Sequence, residues 1–200
     1  MPFPPRIAIA SKNAHKLREI ERICADWPVA WVTVASGDPD AFPDVDETGE
    51  TYLDNALLKA RAVAVALDLP ALADDSGIEL DALGGKPGAR SARYAGDTAT
   101  DEQNLQALLR ALKGVPAAGR SARYRCVAAL ALPDGEAVHA EGVCEGSVLV
   151  RSRGDGGFGY DPIFQPVGRD VTMAELTAGE KDRISHRGRA FRALGERLSA

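Results

Sequence analysis

Two adjacent carboxylates, Asp74 and Asp75, stand with Ser76 in the sequence ADDSG, directly after an apolar run. Neighbouring negative charges raise each other's pKa unless a cation lies between them. Mg²⁺ is a suitable cation, because it takes hard oxygen ligands and commonly binds one or two carboxylates together with substrate phosphates. Glu47, in DETGET, could supply another carboxylate. The simpler alternative is that the two aspartates only form a turn.

A second candidate is the segment SKNAHK, Ser11 to Lys16, which joins an apolar run to a helical pattern. The N-terminus of a helix presents unpaired N–H groups and a partial positive charge, so it accepts phosphate readily. Lys16, one turn into the helix, would add a full charge. The alternative is that Ser11 or Asn13 simply caps the helix.

The glycine-rich segment GDGGFGYDP, residues 154 to 162, formally matches the pattern G-x-G-x-x-G. A dinucleotide-binding loop is rejected, because that fingerprint must open a helix and Tyr160-Asp161-Pro162 cannot continue into one smoothly. Its glycines still allow the backbone to approach a flat ligand closely. The segment therefore predicts a base-binding loop, with a flexible hairpin end as the alternative.

Basic side chains gather in EKDRISHRGRA, around the predicted start of the last helix. They are Lys181, Arg183, His186, Arg187 and Arg189. A basic cluster at a helix N-terminus runs against the helix dipole, and an anion would relieve that conflict. A solvated basic face is the alternative.

The elements that must position these groups follow from the apolar periodicity. A β-prone run from Arg6 to Ala10 precedes a helical pattern that reaches Cys24, and a second helical pattern runs from Leu53 to Leu67. A short strand should follow it and end before Asp74. The early part of the chain therefore alternates strands with helices.

The later part predicts a third helix, a hairpin and a last helix. Thr100 and Gln103 form a capping-box pattern ahead of a leucine-rich helix. Residues 122–132 and 137–150 read as two antiparallel strands joined at Asp134-Gly135. Thr177 caps a short turn, and the last helix follows Ser185. Strands alternate with helices in the early part of the chain, and a hairpin follows in the later part. This order predicts an α/β fold with three layers, α/β/α, around a central mixed sheet.

Composition limits the class of protein. With 200 residues, 45% of them hydrophobic, the chain should form a single domain over residues 1–200. Its formal net charge of -5 argues against a broad surface for nucleic acid. No apolar run approaches the roughly 20 residues of a membrane span, and the start of the chain lacks signal-peptide features. The expected location is cytoplasmic, and the three widely spaced cysteines should be buried thiols.

Five segments occur together and in order, and the combination resembles the inosine triphosphate pyrophosphatase family, also called dITP/XTP pyrophosphatases. They cover the chain from Ser11 to about Phe191. The segments are SKNAHKLREI, DETGETYLDNALLKARA, ADDSGIELDALGGKPGARSARYAG, GGFGYDPIF and AELTAGEKDRISHRGRA. One departure is Ser11-Lys12, where many members have Thr-Gly or Thr-Asn, but Ser11 keeps the hydroxyl.

The resemblance implies hydrolysis of nonstandard purine nucleoside triphosphates, ITP, dITP and XTP, to the monophosphate and pyrophosphate with Mg²⁺. It also implies an elongated two-lobed domain with a cleft between the lobes, and a homodimer. By the same resemblance, Asp75 is the general base and a metal ligand, and Glu47 is the second metal ligand, with nearby Asp44 as the alternative. The implied substrate-binding residues are Ser11, Lys12, Asn13, Ala14, His15 and Lys16 for the triphosphate, Ser76, then Phe158, Gly159, Tyr160 and Asp161 for the base or sugar, and Lys181, His186 and Arg187.

Two other functions stay open at this point. One is a pyrophosphatase of similar architecture that acts on modified pyrimidine or methylated nucleotides. The other is a noncatalytic purine-nucleotide sensor, which would bind ITP and release no pyrophosphate.

Overall fold

One mixed six-stranded sheet organises the chain, in the order β2-β1-β3-β4-β5-β6. The computed structural model describes residues 3–36 and 39–199. The strands are β1 (Arg6–Ile9), β2 (Ala30–Val32), β3 (Ala71–Leu80), β4 (Ser121–Ala131), β5 (Ala137–Val148) and β6 (Phe164–Pro166). β1 pairs in parallel with β2 and with β3, whereas β5 and β6 are antiparallel. The predicted α/β fold with a mixed sheet is confirmed.

The described residues also form five α-helices. They are α1 (Ala14–Ile23), α2 (Tyr52–Leu67), α3 (Asp101–Ala111), α4 (Ala178–Ile184) and α5 (His186–Ser199). The predicted capping box at Thr100 is present. Thr177, predicted to cap a short turn, forms a capping box at the start of the seven-residue helix α4, and Thr51 forms another at the start of α2. Local sequence therefore fixes where these helices begin. Within the described ranges, none of the helices has the length and apolar character to cross a membrane.

The chain divides into two compact units. The first comprises Met1–Asp75, Cys126–Gly142 and Arg187–Ala200, and the second comprises Ser76–Arg125 and Val143–His186. The core of the second unit includes side chains of β3, α3, β4, β5 and β6. Its central members are Ile78, Leu80, Leu105, Leu108, Tyr124 and Phe164. As predicted, all three cysteines are buried free thiols.

The first unit has two apolar cores, because successive side chains of a strand point to opposite faces of its sheet. On one face Leu72 of β3 packs in a cluster with Ile20 of α1 and Phe191 of α5. On the other face Ala71 and Ala73 of β3 belong to a cluster with Ala60, Val63 and Ala64 of α2. The two faces therefore carry different helices.

β3 is longer than the sequence pattern predicts. The expected strand ends before Asp74, but the structure continues it to Leu80, so both aspartates lie inside the strand. The apolar side chains of Ile78 and Leu80 continue into the core of the second unit, which keeps the backbone extended. Because neighbouring strand residues alternate between faces, Asp74 lies on the same face of the sheet as Leu72, and Asp75 lies on the same face as Ala73.

Candidate active site

Asp75 lies on the face of the sheet that carries α2, where three side chains meet. The amide of Asn55 donates from Nδ2 to Asp75 Oδ2 at 3.2 Å. The ammonium of Lys59 lies 3.4 Å from Asp75 Oδ1 and 2.6 Å from Glu47 Oε1. One partly buried cation therefore bridges the two carboxylates that the resemblance assigns to metal binding.

The electrostatics of this group suit a base. Burial raises the pKa of Asp75 above its ordinary value, although the charges of Lys59 and Lys16 oppose the shift. For Lys59, burial lowers the pKa, but the neighbouring carboxylates outweigh it and the pKa is raised. Lys59 is therefore held in its charged form, and Asp75 binds a proton more readily than an exposed aspartate does.

Sequence reasoning missed both Asn55 and Lys59. They lie four residues apart on α2, so they occupy one face of the helix. That face is the buried one, because Asn55, Ala56 and Ala60 are all buried. A pair of polar residues at helical spacing within an apolar stripe is the signal that could have identified them.

Asp74 lies on the opposite face, among different partners. Its Oδ2 accepts from Nε and Nη2 of Arg187, at 3.2 and 3.0 Å, and lies 3.2 Å from the ammonium of Lys16. Arg187 also donates from Nη1 to Glu19 of α1 at 2.6 Å. Burial alone would raise the pKa of Asp74, but the charges of Lys16 and Arg187 hold it well below the usual range. Asp74 Oδ1 is buried and has no hydrogen-bond partner among the residues that the structure describes.

The segment Ser11 to Lys16 begins α1 as predicted. Asn13 is the N-cap, and its Oδ1 accepts from the backbone N–H groups of His15 and Lys16 at 2.9 and 3.3 Å. Ser11 Oγ accepts from the N–H of Asn13 at 3.2 Å. Lys12 is exposed and forms an ion pair with Asp44 at 2.6 Å. Asn13 therefore caps α1, and binding of the triphosphate by this segment stays a prediction. Lys16 reaches inward to Asp74.

In the second unit, Asp161 organises the glycine-rich loop. Its buried carboxylate accepts from Lys181 Nζ at 2.6 Å and from the N–H of Phe158 at 2.9 Å. The ammonium of Lys181 also lies 4.8 Å from the centre of the Phe158 ring. Lys181 is itself buried, so the predicted basic cluster does not form a solvated face at this residue.

Further contacts fix the same loop and its surroundings. Tyr160 is buried, and its hydroxyl donates to the carbonyl of Ser91 at 2.7 Å. The N–H of Gly159 donates to Asp101 at 2.9 Å. The ring of His186 stacks on Tyr124 with 4.5 Å between centres and 8° between planes. The loop is thus held by specific contacts and is not a loose hairpin end.

The donor set fits a hard divalent cation. The described residues contain no group of three or more His, Cys, Asp or Glu side chains arranged for a metal ion. Mg²⁺ does not require one, because it binds through one or two carboxylates together with substrate phosphates. Glu47 and Asp75 already share one cation, Lys59. The side chain of Asp44, in contrast, is 92% exposed and pairs with Lys12.

Comparison with known proteins gives the family. The sequence model of the Ham1 family matches residues 7–197. The chain belongs to the Ham1 family. A solved relative described as a HAM1 protein from Coxiella burnetii superimposes with a TM-score of 0.87 at 40% identity, covering 98% of this chain and 99% of that one.

Curated relatives of this Ham1-family chain carry an enzyme name. A dITP/XTP pyrophosphatase from Streptomyces coelicolor is 49% identical over 189 residues, which is 94% of each chain. Another from Geobacillus kaustophilus is 48% identical and covers 95% of this chain and 92% of the relative. A structure described as a nucleoside-triphosphatase / dITP/XTP pyrophosphatase from Mycobacterium abscessus has a TM-score of 0.75 at 42% identity, covering 98% of this chain and all of that one.

Proposed function

We propose that this Ham1-family protein hydrolyses the nonstandard purine nucleoside triphosphates ITP, dITP and XTP to the nucleoside monophosphate and pyrophosphate. The observation that carries the proposal is the pair of carboxylates around one ammonium, the buried Asp75 and the partly buried Glu47. The names of the curated relatives supply the class of substrate. The enzyme names of these relatives also favour an enzyme over a sensor without catalysis.

Asp75 is the proposed general base. It accepts a proton from the water that attacks the α-phosphorus, and the bond from that phosphorus to the bridging oxygen breaks to release pyrophosphate. Lys16 and the N-terminus of α1 neutralise charge on the leaving group. Glu47 and Asp75 would hold Mg²⁺, which when bound supplies charge neutralisation at the phosphates. Glu47 is preferred to Asp44 as the second ligand because Glu47 and Asp75 both lie next to the ammonium of Lys59.

The loop of Phe158, Gly159, Tyr160 and Asp161 is the proposed recognition element for the base or sugar, with Lys181 and His186. Hypoxanthine and xanthine carry a 6-oxo acceptor where adenine carries an amino donor, so N–H donors at the base would favour the former two. Arg187 stays a predicted substrate-binding residue. Its contacts with Asp74 and Glu19 also support a role in positioning those carboxylates.

The test is pyrophosphate release from a nucleotide panel with and without Mg²⁺. The panel comprises ITP, dITP, XTP, ATP and GTP with one modified pyrimidine and one methylated triphosphate. We expect Mg²⁺-dependent release of pyrophosphate from the first three and little from the rest. Orthophosphate with stepwise IDP would contradict the mechanism. Binding of ITP without any product would favour the sensor, and preference for the pyrimidine or methylated substrate would favour the other enzyme.

Three further expectations stay predictions: the homodimer, the single domain and the cytoplasmic location. Sedimentation velocity over a range of protein concentrations tests the first. The unfolding experiment proposed in the Discussion tests the second.

A further inference from the structure

Asn55 contacts both sides of the proposed metal site. Its side chain is buried, with 1% of the residue exposed. Oδ1 accepts from the backbone N–H of Gly49 at 2.8 Å, and Nδ2 donates to Asp75 Oδ2 at 3.2 Å. Gly49 is two residues after Glu47. One amide therefore joins the loop that carries Glu47 to the carboxylate of Asp75.

The loop lies directly against α2 at this point. A Cβ atom on Gly49 would stand 2.5 Å from Asp54 Cβ and 2.6 Å from Asn55 Oδ1, so no larger residue fits without a shift. The start of α2 is fixed by the capping box between Thr51 and Asp54. Both partners of the hydrogen bond between the Gly49 N–H and Asn55 Oδ1 are therefore fixed in place, Gly49 by its close packing and Asn55 by the start of α2.

Asn55 and Lys59 differ in their effect on the binding of a divalent cation. Lys59 lies near Asp75 Oδ1 and Glu47 Oε1, so its positive charge competes directly with a divalent cation for those carboxylates. Asn55 is neutral and binds the other oxygen of Asp75, Oδ2. Its two hydrogen bonds can persist while the metal is bound.

We infer that Asn55 is a positioning residue for the divalent cation: it sets the separation of Glu47 and Asp75 by holding the Gly49 backbone and the Asp75 carboxylate at once. The inference rests on the proposed function for its metal and substrate. Groups that orient metal ligands commonly change metal affinity by 10- to 100-fold when they are removed. A merely structural residue would lower stability without changing the metal dependence.

The chain offers a matched control in Asn104 of α3. Asn104 is also a buried helical asparagine, with 2% of the residue exposed. It likewise uses both amide atoms, accepting from the N–H of Ala95 at 2.8 Å and donating to the carbonyl of Ala92 at 2.9 Å. It contacts no predicted metal ligand in these hydrogen bonds. Asn104→Leu therefore reports the cost of losing a buried bridging amide alone.

The experiment compares wild type, Asn55→Leu and Asn104→Leu in three measurements. These are the Mg²⁺ concentration for half-maximal pyrophosphate release from ITP, Mn²⁺ binding to the substrate-free protein by electron paramagnetic resonance, and urea unfolding. For Asn55→Leu we expect about a tenfold or greater increase in half-saturating Mg²⁺, similarly weakened Mn²⁺ binding, and partial recovery of kcat at high Mg²⁺. Asn104→Leu should lose stability and keep the wild-type metal dependence.

Gly49→Ala provides a second route if Asn55→Leu does not fold. It displaces the loop from Asn55 Oδ1 and should weaken metal binding in the same direction. Unchanged metal dependence in both variants would overturn the inference, as would the absence of Mn²⁺ binding to wild type. If wild type binds Mn²⁺ and Asn55→Leu does not, but neither releases pyrophosphate, the cation site stands and the proposed function fails.

Discussion

Asp74 and Asp75 are adjacent in β3, yet their side chains have opposite electrostatic surroundings. Asp74 faces Arg187 and Lys16, which hold its pKa far below the ordinary value. Asp75 faces α2, where burial outweighs the nearby lysine and raises its pKa. The alternation of the strand separates two charges that would otherwise repel each other. One carboxylate is thereby kept ionised and the other is left able to exchange a proton.

This difference predicts that one isosteric substitution mainly lowers turnover and the other mainly lowers stability. Asp75→Asn should lose about a hundredfold or more in turnover, because it removes the proposed base and metal ligand. It should cost less stability than Asp74→Asn, because Lys59 is partly exposed and keeps Glu47 as a partner. Asp74→Asn should destabilise the fold by roughly 3 kcal/mol, since it leaves the buried Arg187 with one carboxylate partner fewer. Steady-state pyrophosphate release and urea unfolding measure the two effects.

The contradicting result is simple to recognise. If Asp74→Asn lowers turnover as much as Asp75→Asn at unchanged stability, the base has been assigned to the wrong carboxylate. Mn²⁺ binding to both variants provides the control, because only Asp75 is a proposed ligand.

At the scale of elements, α5 packs closely on the aromatic side chain of Trp27. A Cβ atom on Gly195 of α5 would lie 2.9 Å from Trp27 Nε1. Trp27 in turn contacts Phe3 edge-on, with 5.1 Å between ring centres. Glycine within a helix normally costs about 1 kcal/mol relative to alanine, so its presence here is explained by this close approach.

Two glycine-to-alanine substitutions should therefore change stability in opposite directions. Gly195→Ala should destabilise by about 1–3 kcal/mol, because the methyl group meets the indole of Trp27. Gly179→Ala on α4 should stabilise by about 0.5–1 kcal/mol, since the nearest atom to its Cβ would be Arg183 Nη1 at 3.9 Å. Thermal and urea unfolding of both variants against wild type provide the comparison. A stabilising effect of Gly195→Ala would mean that Trp27 repacks freely.

At the scale of the whole molecule, three strands contribute residues to both compact units. β3 contributes Ala71–Asp75 to the first unit and Ser76–Leu80 to the second, and β4 and β5 are divided in the same way. Unfolding either unit would thus disrupt strands that the other unit also uses. We therefore expect the units to unfold together.

Urea unfolding followed by two probes tests this expectation. Trp27 and Trp31 are the only tryptophans of the chain, and both belong to the first unit, so tryptophan fluorescence reports that unit. Far-UV circular dichroism reports the helices of both units. Coincident transitions with one midpoint are expected. A separate transition seen by circular dichroism alone would show that the second unit unfolds independently.

Sequence alone determined the local features of this protein. The caps at Thr100 and Thr177 and the turn at Asp134-Gly135 depend on interactions within a few residues, so their signals are readable along the chain. The cap of α1 was narrowed to Ser11 or Asn13, and the structure assigns it to Asn13. The order of helices and strands then gave the α/β class. The five matching segments gave the family.

Only the tertiary structure decided the partners of the charged residues. Arg187 and Asp74 are 113 positions apart, and Lys59 and Asp75 are 16 apart, so no local pattern pairs them. The sequence pattern indicated that the basic cluster suits an anion, but it did not show that Arg187 pairs with Asp74 and Glu19, or Lys181 with Asp161. A buried charge must find a partner wherever the packed fold brings one, because leaving it unpaired costs several kcal/mol. Sequence could therefore name the reactive residue types. Packing of the helices on the sheet set the face of β3 on which each aspartate lies and the lysine or arginine that it contacts there.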